Sequence, residues 1–124
     1  MANLPSPTPN LTSSLKPHEQ DRHRAQIGLR VEVILDGYWQ TRPSDVVKAG
    51  ILADWMDEMQ DWHLDQITAA LKEWRNSNPS RKPNPGHICA ILKRRRGMVY
   101  AGGTAERDPV FALDRAVTPA LAAE

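Results

Sequence analysis

Residues 44–79 read SDVVKAGILADWMDEMQDWHLDQITAALKEWRNSNP, and two helices are written in that stretch. Val47, Ile51, Leu52, Trp55 and Met59 recur at three- and four-residue spacing, which lines them along one helix face. Ser44, directly after Pro43, is placed to cap that helix, so it is expected over residues 45–61. Asp54, Asp57, Glu58 and Asp61 fall largely on its opposite face. A short corner at Trp62, His63 and Leu64 follows. Leu64, Ile67, Ala70, Leu71 and Trp74 then repeat the pattern over 64–76, until Asn76, Ser77, Asn78 and Pro79 bring helix-breaking chemistry.

Two further helices flank this pair. Upstream, Ile27, Val31, Ile34, Leu35 and Tyr38 share a face over residues 18–38, with Glu19 and Asp21 favourable at the positive end of the helix dipole. Gly37 weakens its end and Pro43 forbids continuation. Downstream, a turn-rich connector leads to Asn84 as cap and Pro85 at the first helical position, where proline is favoured. That helix carries Ile88, Ile91 and Leu92 inward and is expected to stop near Gly97. Residues 1–17, with Pro5, Pro7, Pro9 and Pro17, read as a disordered arm. Residues 98–124 read as a flexible tail in which 110–117 form a short amphipathic helix. The expectation is an all-α fold: a bundle of about four helices over 18–97, with flexible arms at both ends.

The totals restrict what such a chain does. With 124 residues it makes one small domain, and small domains bury only roughly 60% of their unfolded surface, so a homodimer or a bound partner would add stability. Cys89 is the single cysteine, which excludes an intramolecular disulfide and a cysteine-rich zinc site. No stretch reaches the roughly 18 apolar residues of a membrane span, and residues 1–5 lack a signal-like start. A cytoplasmic location is expected. The net charge of +1 hides a segregation. Eight acids and two bases lie between residues 32 and 71, but eight bases and one acid lie between 72 and 96. Charge laid out in this way bears on partners more than its total does.

Lys93, Arg94, Arg95 and Arg96, with Arg81 and Lys82 before the helix, are the candidate nucleic-acid contacts. Guanidinium forks grip phosphate oxygens, and several together release counterions from nucleic acid. The plainer alternative is that they complement the negative end of the helix dipole, which one or two bases would satisfy. The acidic face of Asp54, Asp57, Glu58 and Asp61 lacks a matching second acidic helix and a Glu-x-x-His pair, so it reads as a solvated or partner-facing surface and no metal is expected. Trp55 and Trp74 fit core stripes, while Trp39 and Trp62 are candidate anchors for a protein interface. Phe111 and Leu113 are candidates to fold against the same partner. Cys89 reads as a small buried residue. With no phosphate loop and no nucleophile elbow, no enzyme activity and no cofactor are expected.

Residues 47–92 resemble a phage pattern. A helix ending in Trp55, Met56, Asp57, Glu58 and Met59 precedes a helix bearing Ile67, Ala70, Leu71 and Trp74, and then a turn with Pro83, Pro85 and Ile88 opens another helix. This is similar to the small phage helicase loader-and-inhibitor family. The resemblance implies a compact helical domain with a flexible tail that binds a replicative helicase without hydrolysing nucleotide. The basic cluster and the proline-rich arm depart from that pattern and point toward DNA. The leading expectation is a phage or prophage replication accessory protein that loads or modulates a replicative helicase. A small DNA-binding transcriptional regulator and a phage-encoded inhibitor of a host enzyme stand as alternatives.

Overall fold

A computed structural model of the chain describes residues 11, 14–100 and 108–111. Four helices make the fold: α1 (Pro17–Asp36), α2 (Asp45–Met59), α3 (Leu64–Ser77) and α4 (Pro85–Tyr100). The expected all-α bundle is what forms, with no strand among the described residues. Both α1 and α4 pack against α2 and α3, so the core lies where all four meet.

Local chemistry sets where each helix begins. The Lys16 amide donates to Glu19 Oε1 at 2.8 Å and Pro17 occupies the first turn of α1. Ser44 Oγ accepts from the Val47 amide at 3.3 Å, capping α2 as its sequence implied. The His63 amide donates to Gln66 Oε1 at 3.1 Å at the start of α3. At α4 the cap is reciprocal. The His87 amide donates to Asn84 Oδ1 at 2.9 Å, and the Asn84 amide donates to His87 Nδ1 at 3.1 Å.

The inner stripes are close to those read from the periodicity. Ile27, Val31, Ile34 and Leu35 of α1 are buried with Trp55 and Met59 of α2, Ile67, Ala70 and Leu71 of α3, and Ile88 and Leu92 of α4. Each Val, Leu, Ile or Met side chain among them contributes about 1.5–3 kcal/mol on burial. Arg24 meets Asp57 at one end of the α1–α2 pair, and Lys48 meets Glu32 at the other, so the two helices run antiparallel. Gly28 is buried where the Met56 side chain crosses α1, and a Cβ there would collide with the Met56 methyl. The Tyr38 hydroxyl donates to the Asn78 carbonyl at 2.9 Å, tying the end of α1 to the end of α3.

Three expectations need correction. Val47 faces solvent rather than the core. The second helix ends at Met59, short of residue 61, because a turn in which the Trp62 amide donates to the Met59 carbonyl swings Trp62 inward. The fourth helix runs through Gly97 to Tyr100, because Val99 lies on the same face as Ile88 and Leu92 and is fully buried with them. The helical domain therefore does not close at residue 97. Asp108 to Phe111 also dock on the bundle, Phe111 completely buried and Gln66 Nε2 reaching the Val110 carbonyl at 3.4 Å.

Candidate partner-binding surfaces

Consecutive helix residues stand about 100° apart, so the four bases from Lys93 to Arg96 sweep about 300° of α4 and cannot share a face. Their surroundings differ, although Glu73 of α3 lies beside both Arg94 and Arg95. Lys93 is exposed on the side of Cys89, toward α2. Arg94 is exposed and paired with Glu73 of α3. Arg95 grips Asp108 through two bonds, Nε to Oδ2 at 2.8 Å and Nη2 to Oδ1 at 2.7 Å, and lies 4.7 Å over the Phe111 ring. Its hydrogen bond to Asp108 raises its pKa above the ordinary arginine value, against the opposing effect of desolvation. Arg96 is only 5% exposed, its guanidinium 3.7 Å from the centre of the Trp62 ring. A desolvated cation over tryptophan is worth about 2 kcal/mol or more, enough to favour this inward placement.

Arg95 and Arg96 are therefore not available as phosphate contacts, which removes two of the six candidates read from the sequence. The same geometry removes two expected partner anchors. Trp62 and Phe111 are buried against each other edge to face, with ring centres 6.3 Å apart. Leu113 lies outside the described residues. The docking of Phe111 had a signal in the sequence, an Asp-Pro step at Asp108 and Pro109 that starts a helical turn with the Phe111 amide donating to the Asp108 carbonyl at 3.2 Å.

Of the candidate contacts outside α4, Arg81 and Lys82 are exposed on the connector behind α3. Lys72 and Arg75 are exposed on α3 itself. Trp74 organises this corner. Its Nε1 donates to the Arg81 carbonyl at 2.8 Å, its ring stacks on His87 at 4.3 Å and 14°, and the Arg81 guanidinium lies 5.9 Å from the ring centre. Pro83 of the connector is buried.

The acidic surface survives as expected in its placement. Asp54, Asp57 and Glu58 are exposed on α2 and Asp61 in the turn just after it, with Asp57 2.9 Å from Arg24. Trp39 is half-buried against the core edge. Cys89 is half-buried rather than buried, its Sγ 4.0 Å from the Glu58 carbonyl. Burial pushes its thiol pKa up, the Glu58 charge adds to the shift and Lys93 opposes it. Among the described residues no three of His, Cys, Asp and Glu converge as metal ligands, and no helix is long and apolar enough to cross a membrane. No family model matches the chain, and no curated protein or solved structure matches it.

Proposed function

We propose that the chain is a non-enzymatic accessory protein of phage or prophage DNA replication, acting in the bacterial cytoplasm, that binds a replicative helicase and loads or modulates it. The observation that carries this reading is the corner built by Trp74. In residues 47–92, the stretch that resembles the phage loader-and-inhibitor family, Trp74 stacks on His87 and holds the Arg81 carbonyl, and His87 and Asn84 together cap α4. The proline-marked pattern thus has a physical purpose, which is to set α4 against α3. The acidic surface of α2 is then the protein-facing side, and the cations at the α3–α4 corner are the DNA-facing side.

Co-sedimentation of the full chain with a purified replicative helicase tests the first half. A complex that is lost when Asp54, Asp57, Glu58 and Asp61 are changed together to Lys supports the reading, and failure to form any complex sinks it. A salt-titrated DNA-binding assay tests the second half. Arg81→Ala with Lys82→Ala is expected to weaken binding and flatten its salt dependence. No DNA binding at low salt favours an inhibitor acting through the acidic surface alone. The transcriptional-regulator alternative is disfavoured by the first turn of α4, where a recognition helix reads bases. There His87 is committed to Trp74 and Asn84, and Gly86 and Ala90 offer nothing to read with.

A further inference from the structure

The outer face of the α1–α2 pair is apolar where it meets solvent. Leu29 is 65% exposed, Val33 58% and Val46 84%. Ala25, Ala49, Gly50 and Ala53 are exposed on the same two helices. Lys48 lies 2.7 Å from Glu32, which brings the N-terminal part of α2 alongside the turn of α1 that carries Leu29 and Val33. α2 is apolar around most of its circumference, yet only Trp55 and Met59 of it are buried. A helix of that kind belongs in an interior, so this face calls for a cover.

The charges at the ends of the α1 stripe identify the cover. Arg22, Ala25, Leu29, Val33 and Asp36 are all exposed and follow one another at spacings of three, four, four and three residues. That spacing is its own reverse. A second α1 laid antiparallel and centred on Leu29 sets Leu29 against Leu29 of the partner subunit and the small Ala25 against Val33 of the partner subunit. At both ends it sets Arg22 against Asp36 of the partner subunit. A parallel arrangement would instead oppose like charges. Arg22 makes no hydrogen bond or ion pair among the described residues. Asp36 offers only Oδ2 to Arg42, at 3.2 Å, which leaves Oδ1 for a second cation.

We propose that a second copy of this chain docks on this face, forming a two-fold symmetric dimer about an axis through Leu29. Such isologous pairing is the commonest form of self-association. The α1 stripe is about 21 Å long. Val46, Ala49 and Ala53 widen it toward the about 800 Å² per partner that a stable pair buries. The inference is independent of the helicase reading.

Sedimentation equilibrium of the full chain over a micromolar concentration series tests it, with helical circular dichroism to verify folding of each variant. The wild type is expected to be dimeric and Leu29→Glu monomeric with undiminished helicity. Arg22→Asp, which places two like-charged pairs at the interface, is expected to weaken dimerisation about tenfold or more. Combining it with Asp36→Arg is expected to restore the dimer. A monomeric wild type, a dimer indifferent to Leu29→Glu, or a double charge swap that fails to restore association would each overturn the proposal. Loss of a helicase complex in Leu29→Glu, with a monomeric wild type, would assign the face to that partner instead.

Discussion

Arg96 shows how strongly a residue's role depends on where its helix points it. In the run of four bases it reads as a phosphate contact, and in the bundle it is a buried prop for Trp62. Arg96→Ala removes that contact and the packing of its aliphatic stem, and is expected to cost about 2–3 kcal/mol in urea unfolding. Arg96→Lys is expected to recover only part of this, because an ammonium is more strongly hydrated than a guanidinium. Neither change is expected to alter DNA affinity at fixed salt, while Lys82→Ala is. Cys89 gives a second check at this scale. Its raised pKa lowers the thiolate fraction at neutral pH, so a thiol reagent is expected to label it more slowly in the folded than in the urea-unfolded chain. Because the neutral thiol is favoured on folding, its contribution to stability holds below the ordinary thiol pKa and is lost as pH rises past it.

At the scale of the element, α4 is the instructive helix. Its start was legible because Asn84 and Pro85 carry their own local chemistry, a side-chain acceptor and a preset backbone angle. Its end was not. Gly97 reads as a stop from sequence, but the burial of Val99 holds the helix for a further turn. A glycine kept helical by packing carries an entropic penalty that alanine avoids. A Cβ at Gly97 would meet nothing within 4 Å, so Gly97→Ala is expected to stabilise the chain by about 0.5–1 kcal/mol in thermal or urea unfolding. Gly28 is the contrast. Its Cβ would press on Met56, so the propensity gain of Gly28→Ala is expected to be largely cancelled.

The whole molecule is larger than the four-helix unit, because residues 108–111 close it. Asp108 engages Arg95, Phe111 fills the space beside Trp62, and Gln66 links the start of α3 to the Val110 carbonyl. A double-mutant cycle on Arg95→Ala and Asp108→Ala is expected to give a coupling of about 1–2 kcal/mol, since both groups are shielded from solvent. Phe111→Ala is expected to cost about 3–4 kcal/mol. An unfolding midpoint unmoved by Phe111→Ala would show that the segment only rests on the surface. The charge segregation seen along the chain is also partly dissolved at this scale, because Glu73 and Asp108 neutralise Arg94 and Arg95.

Periodicity and local chemistry specify the four helices, the caps at Ser44 and Asn84, the inner stripes of α1 and α3 and the acidic row along the end of α2. These follow from periodicity and from hydrogen bonds that span at most one turn, so neighbouring residues suffice to specify them. Packing between helices sets which bases of α4 face water, and it makes Trp62 and Phe111 core rather than interface. Those outcomes depend on the rotation of each helix about its axis and on contacts such as Arg95 with Asp108, between residues far apart in the chain. A run of four arginines and lysines states a charge. The direction in which each one points is set by the neighbours that fill the rest of the space around α4.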